Sequence, residues 1–415
     1  MKHSGIPWIG DIPKGWCVNL LSSLFDEHKQ KNKGLVETNL LSLSYGKIIR
    51  KDINTKEGLL PESFDGYNVI SSGDIVFRLT DLQNDKRSLR TGLCTENGII
   101  TSAYVTIRGR HSLNSAYYHY LFHSYDLCKV FYGMGEGVRQ GMNYGDLRKL
   151  LILLPSLSEQ QKIASFLDGK CSEIDEMIAL QEKIVDELKA YKQSVITEAV
   201  TKGLNPDAPM KDSGIEWIGE FPEHWELLRI KNILKEVHTI TPTGEGEKLS
   251  VTQNGGIIKT SEIEVANPSL STIGWKVVSE NDIVFNKYKA HSGVFFVSPY
   301  NGIVTFNYSV YRCYDDYIPK FYEYVFKTVG CISEFRKEMR GVGESISPLY
   351  TKDLLSINIY APPKSEQESI IKYLNKKCTE IDNLISIKLS KIDSLKEYKK
   401  SIIYEYVTGK KEVIE

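Results

Sequence analysis

The chain has 415 residues, 41% of them hydrophobic and 25% charged, with a formal net charge of −1. That length allows two to four domains with sizeable cores. No apolar run nears the roughly 18 residues that cross a bilayer. The opening MKHSGIPWIG also lacks the apolar stretch of a secretory signal, so neither a membrane nor a secreted protein is expected. The balanced charge shows none of the basic excess by which nucleic-acid binders usually declare themselves. Cys17, Cys94, Cys128, Cys171, Cys313, Cys331 and Cys378 are scattered, with no CxxC and no His at ligand spacing. They read as reduced thiols of a cytoplasmic protein, and a metal site has no support.

Taken in chain order, the sequence states each of its elements twice. SGIPWIGDIPKGW at 4–16 returns as SGIEWIGEFPEHW at 213–225. GDIVF at 73–77 returns as NDIVF at 281–285, GIITSAY at 98–104 as GIVTFNY at 302–308, and YYHYLF at 117–122 as FYEYVF at 321–326. PSLSEQQKIASFLDGKCSEID at 155–175 returns as PPKSEQESIIKYLNKKCTEID at 362–382. Such self-similarity means two copies of one structural unit.

Within each copy the first part is rich in Gly, Ser, Tyr and short β-branched runs, the chemistry of strands and turns. A helix is predicted near 115–132. The expected result is a compact α/β or α+β domain dominated by strands. After Pro155 and Pro362 the pattern turns helical for more than forty residues. Ser158 with Gln161, and Ser365 with Glu368, have capping-box spacing. A 4-3-4-3 seam follows through Leu167, Cys171, Ile174, Ile178, Gln181, Val185, Leu188, Lys192, Val195 and Ala199. The second copy keeps it through Leu374, Cys378, Ile381, Ile385, Lys388, Ile392, Leu395, Lys399, Ile402 and Tyr406. A heptad seam this long is coiled coil, each helix spanning about 65 Å. Of the 47 positions from 155 to 201, 22 are identical in the second copy, whereas the globular parts match only at isolated strands. The helices therefore share a task that the globular parts do not. Two such copies predict an antiparallel helix pair with pseudo-two-fold symmetry. They also predict that the opening motif, Ser4 included, lies near Thr408 at the end of the second helix.

Chemistry is hard to find. There is no GxxxxGK[ST] loop, no GxGxxG after a strand, and no GxSxG or HExxH. NPDAP at 205–209 is not the Asn/Asp-Pro-Pro-aromatic strand end of an adenine methyltransferase. An autonomous enzyme is not expected. What does gather where loops are expected is planar and basic. The first copy offers Arg78, Gln83, Asn84, Lys86, Arg87, Arg90, Arg139 and Gln140, and the second Gln253, Asn254, Asn286, Lys287, Lys289, His291, Arg336 and Arg340. These side-chain types can hydrogen-bond base edges and neutralise phosphates.

The doubled SGIxWIG opening, the DIVF strand and the doubled Pro-x-x-Ser-Glu-Gln helix start ending in EID resemble the specificity subunit of type I restriction-modification systems. The resemblance covers nearly the whole chain. It implies a target recognition domain at 1–157, a spacer helix at 158–202, a second recognition domain at 203–364, and a spacer helix with tail at 365–415. It further implies that each domain reads one half of a bipartite site in double-stranded DNA, while the helices set the unread gap and dock two methyltransferase subunits. No cofactor is expected in this chain. S-adenosylmethionine and ATP with Mg belong to the methyltransferase and restriction subunits, in a bacterial or archaeal cytoplasm. The alternatives are a duplicated coiled-coil scaffold whose globular ends bind proteins, and a fused restriction enzyme, which the missing motifs disfavour.

Overall fold

The computed structural model describes residues 1–54, 63–82, 89–110, 112–134, 141–252, 256–263, 271–339 and 348–414. By internal contacts the chain falls into two compact units, one comprising Met1–Glu182 with Ser390–Glu415 and the other Lys183–Leu389.

In the first unit, strands β1 (Cys17–Leu20), β2 (Phe25–Glu27), β3 (Leu41–Ser44), β4 (Lys47–Arg50), β5 (Ile75–Phe77), β6 (Thr91–Leu93) and β7 (Val105–Gly109) precede helix α1 (Ser115–Leu127). Strand β8 (Leu151–Leu154) then leads into the long helix α2 (Leu157–Lys202). The central sheet is antiparallel in the order β6-β5-β7-β2. Strand β5 is the repeated DIVF, and it is apolar throughout because both of its faces are covered. Ile75 and Phe77 enter the main core with Tyr118, Leu121 and Phe122 of α1, while Val76 points the other way into a small core with Leu41 and Ile100. Strands β3 and β4 form a two-residue hairpin in which Tyr45 and Gly46 both have positive φ, the backbone that tight hairpin turns require.

The second unit repeats this plan. Its strands are β9 (Glu226–Arg229), β10 (Leu234–Glu236), β11 (Leu249–Thr252), β12 (Gly256–Lys259), β13 (Ile283–Asn286), β14 (Phe295–Val297) and β15 (Tyr308–Cys313). Helices α3 (Pro319–Phe326) and α4 (Val329–Glu338), strand β16 (Asn358–Ala361) and the long helix α5 (Lys364–Val407) complete it. The sheet order β14-β13-β15-β10 matches the first copy strand for strand. Again Ile283 and Phe285 face one core and Val284 the other. In each copy a separate antiparallel pair, β1 with β8 and β9 with β16, hands the chain to its long helix.

The long helices are 46 and 44 residues, some 65–70 Å each, and each unit takes in part of both. In the first unit the Phe166 and Tyr406 rings lie 4.4 Å apart, Asp175 accepts from Lys399 at 2.7 Å, and Glu182 faces Lys396 at 3.9 Å. Numbers rise along one helix as they fall along the other, so the pairing is antiparallel. In the second unit Lys192 donates to Asp382 at 2.7 Å, the same pair transposed by the repeat. Of the seam residues, Leu167, Ile174, Val185, Val195, Leu374, Ile381, Ile392, Leu395 and Ile402 are buried, and Ile178, Leu188 and Ile385 are half-buried. The polar seam members Lys192 and Lys399 spend their charge on the facing aspartates.

The capping box falls two residues earlier than the sequence spacing predicts. Ser156 Oγ accepts from Glu159 N at 3.3 Å, and Glu159 Oε2 accepts from Ser156 N at 3.0 Å. Ser158 lies inside the first turn. In the second copy Pro363 stands where Ser156 stands in the first, so no hydroxyl cap exists there.

The opening motif packs against a helix end in both units. In the first, Tyr404 Oη donates to the Trp8 carbonyl at 2.9 Å and Lys410 Nζ reaches the Asp11 carbonyl. A Cβ on Gly409 would strike the Pro13 ring. In the second, Gly203 at the end of α2 lies in the same way against Trp225 and Pro222. Both glycines have positive φ, as helix-terminating residues do. Ser4 bonds within the motif itself, accepting from Ile6 N at 3.0 Å. The contact with the end of the second helix runs instead through Trp8, Asp11, Pro13 and Trp16.

Candidate nucleic-acid interface

Most of the repeated signature turns out to be a joint between sheet, helix and opening motif. Glu159 Oε1 accepts the Trp16 indole N–H at 2.9 Å, and Glu366 Oε2 accepts that of Trp225 at 3.0 Å. The next residue is a buried glutamine in both copies. Gln160 donates to the Pro155 carbonyl and accepts from Asn114 N, fixing the start of α1; Gln367 does the same with Pro362 and Ile318 N. The aspartate of each DIVF motif is buried and held in a two-pronged pair, Asp74 with Arg108 at 2.6 and 2.8 Å and Asp282 with Arg312 at 2.7 and 2.8 Å. Such forks are strong and directional. Each aspartate also accepts the backbone N–H three residues before it, which closes the turn into the strand. The arginines that complete the pairs also repeat, Arg108 and Arg312 each standing ten residues after the start of GIITSAY and GIVTFNY, a signal in the sequence that the quoted motifs stop short of.

The Asp–Arg forks pin β5 and β13 at their N-terminal ends, and the two copies diverge at the opposite ends of these strands. Arg78 follows β5 directly and is half-buried; Asn286 ends β13. Asn286 Oδ1 accepts from Tyr288 N at 3.1 Å and so caps the short turn Lys287–Ser292. The Lys287 carbonyl accepts from Leu349 N, and Arg336 of α4 donates to the His291 carbonyl at 3.4 Å. Asn286, Lys287, Lys289, His291 and Arg336 are therefore brought together at one end of the second sheet. Arg336 and Lys289 are exposed there.

Arg90 is different. It has no exposed surface, and its guanidinium donates to the Thr80 carbonyl at 3.0 Å and the Asp81 carbonyl at 3.4 Å. A basic residue in a loop looks like a contact residue; here the planar group ties down the loop that follows β5, and in this structure it presents nothing to a ligand. Gln83, Asn84, Lys86, Arg87, Arg139, Gln140, Gln253, Asn254 and Arg340 lie outside the described residues. Sequence reasoning missed two aromatic residues at one end of the β13–β15 ladder, Tyr288 after β13 and Phe306 before β15, both exposed. Tyr288 lies outside the shared motifs, whereas Phe306 stands inside one of them, GIVTFNY, at the position where GIITSAY has Ser102.

Among the described residues no group of three His, Cys, Asp or Glu side chains is placed to hold a metal ion, and no helix is long and apolar enough to cross a membrane. All seven cysteines are free, and burial pushes the Cys94 thiol up to about 11.

The architecture is that of a duplicated module, each copy a strand-rich part joined to a long helix. Residues 95–190 match the type I restriction modification DNA specificity domain. A candidate specificity subunit of the type I restriction enzyme MjaX of Methanocaldococcus jannaschii is 27% identical, with 97% of this chain and 95% of that protein aligned. The MjaVIII specificity subunit of the same organism is 25% identical over 76% of this chain and 75% of its own length. In fold, the chain is similar to the HsdS subunit from Thermoanaerobacter tengcongensis, with a TM-score of 0.52 at 16% identity, covering 99% of this chain and 100% of that one. It is also similar to a chain solved in work on complex assembly and conformational transition of the type I R-M system, with a TM-score of 0.68 at 16% identity, covering 96% and 98%. The resemblance read from the doubled motifs is therefore supported: along 97% of its length the chain is similar to a type I restriction-modification specificity subunit, and residues 95–190 match the DNA specificity domain of that family.

Proposed function

We propose that this chain is the non-catalytic DNA-reading subunit of a cytoplasmic type I complex, with residues 1–157 reading one half of a bipartite site and 203–364 the other. The observation that carries this is the division of labour between the copies. The Trp–Glu, Gln–Pro and Asp–Arg joints are kept in both, while the far ends of the strands that the Asp–Arg forks anchor carry different polar and basic sets, Arg78 in one and Asn286 with its lysines in the other. A scaffold that is kept and loops that vary fit two readers of unlike half-sites.

The helices serve as the spacer and as the dock for two methyltransferase subunits, which would supply S-adenosylmethionine; ATP and Mg would belong to restriction subunits. Exposed apolar residues support the docking role. Met177, Leu180 and Tyr191 on α2 are exposed, and so are Leu384, Ile387 and Tyr398 at the repeated positions of α5. Apolar groups kept at the surface twice over mark a contact made twice.

The test is to co-express the chain with its methyltransferase subunits and map methylated adenines across a host genome. A bipartite sequence with a fixed unread gap is expected. Exchanging residues 1–157 for those of a relative should change one half only. A change in both halves, or methylation without sequence preference, would refute the reading. A protein-binding scaffold would in addition lack the steep fall in DNA affinity with salt that phosphate contacts impose.

A further inference from the structure

The end of β13 in the second unit carries an arrangement that the first unit lacks. Asn286 pairs with Tyr308 on the last rung of the β13–β15 ladder. Just beyond that rung the chain turns away on both sides. One side enters the Lys287–Ser292 turn with Tyr288 53% exposed, and the other comes from the loop before β15 with Phe306 68% exposed. These two aromatic residues leave the same ladder at the same end. Around them stand amides and cations: Asn286, Asn307, Lys287, Lys289 and, through the His291 carbonyl, Arg336. Neither 286–292 nor 305–308 contains an acidic residue. By the repeat, Thr80 and Ser102 hold the corresponding positions of the first copy, both exposed and neither aromatic.

An exposed Phe costs solubility unless something covers it, and the surroundings here select the cover. A purely apolar partner would leave the flanking ammonium groups and amides unpaired, whereas a nucleic-acid duplex offers phosphates to the lysines, base edges to the asparagines and stacked base faces to the rings. We propose that Phe306, flanked by Tyr288, is an apolar wedge that the second recognition domain inserts at a base step of its half-site, and that the first domain reads without one. Wedge insertion partly unstacks the step and bends the duplex, so flexible steps are selected by how cheaply they deform. The inference rests on the DNA-reading function proposed above.

The test uses the complex of the full chain with its methyltransferase subunits and the site found by methylation mapping, with 2-aminopurine placed in turn at each position of both half-sites. The wild-type complex should raise fluorescence at one step of the half read by residues 203–364 and at none in the other half. Phe306→Ser, which installs the residue of the first copy, should abolish that signal and weaken site binding by roughly tenfold or more, while Phe306→Tyr should keep both. A Phe306→Ser complex with unchanged signal and affinity would overturn the wedge while leaving DNA reading intact. So would failure of Phe306→Ser to assemble with the methyltransferase subunits in the absence of DNA, because the ring would then be a protein contact. A wild-type complex without sequence preference would remove the DNA-reading function, and the wedge with it.

Discussion

The junction between globular part and helices is built from different chemistry in the two units, although the repeat places the same two positions there. In the first unit His119 and His123 lie one turn apart on α1, next to Tyr120, whose hydroxyl donates to Asp168 at 2.8 Å. In the second, Glu323 and Lys327 of the corresponding segment pair at 2.7 Å, and Glu323 also accepts from Val297 N at 3.0 Å. Burial lowers His119 to about 3, helped by His123, and burial with Lys399 and Lys400 lowers His123 to about 4. For Glu323, burial raises the carboxyl, but Lys327, Lys320 and the Val297 N–H outweigh it, and the net direction is down. The same two positions thus hold two neutral rings in one copy and an ion pair in the other. A shared fold fixes where a polar pair is needed and leaves its chemistry open.

The largest expected effect separates the two solutions directly. Glu323→Ala leaves the Lys327 ammonium without its carboxylate and Val297 N without its acceptor, which should destabilise the second unit by about 3 kcal/mol. His119→Ala removes a neutral ring whose Nδ1 has no partner, and should cost the first unit about 1–2 kcal/mol. Because two units need not unfold together, hydrogen exchange resolved by segment is the measurement, since a single melting temperature would blend them. Equal losses in the two units would erase the distinction.

Acid should sharpen it further. An unfolded histidine binds its proton near pH 6.5, while the folded pair holds out to about 3 and 4. Stability from the pair is therefore complete above pH 6.5 and falls as the pH drops from there toward the folded values, by roughly 2 kcal/mol per histidine, or about 4 kcal/mol for the pair, at pH 5. A carboxyl with a lowered folded value loses its contribution only below the ordinary range near 4.5, so the second unit should hold its protection at pH 5. Segment-resolved exchange at pH 7 and pH 5 should show the first unit loosening alone. Replacing the pair by the residues of the second copy, His119→Glu with His123→Lys, should flatten that response.

Much of this molecule was legible because the sequence says it twice. The duplication, the long helices, the antiparallel seam and the strand-rich domains all follow from repeated motifs and periodicity. What escaped is what a single copy settles for itself. The shared Ser158 and Ser365 drew the capping box two residues too far along, whereas the operative cap, Ser156, has a proline as its counterpart. Arg90 looked like a contact residue because carbonyl partners at Thr80 and Asp81 leave no trace in a sequence. Phe306 went unremarked because an aromatic side chain in a strand-rich domain is usually core, and only its exposure marks it as something else.

The smallest expected effect is a control on the comparison. Lys192–Asp382 and Lys399–Asp175 are one ion pair transposed by the repeat, with the same 2.7 Å separation and similar exposure of the lysines. Pairs this open to solvent are worth only about 0.5 kcal/mol each. Lys192→Ala in the second unit and Lys399→Ala in the first should therefore cost equal, small amounts, and both costs should shrink in high salt. Lys399 has a further role that Lys192 lacks, for its charge is one of those that keep His123 neutral. Removing it should let His123 take up a proton at higher pH. That narrows the gap between folded and unfolded histidine and reduces the loss of the first unit at pH 5. Equal costs at pH 7 with a gentler acid response in Lys399→Ala alone would place the difference between the units in the histidine pair and not in the helix seam.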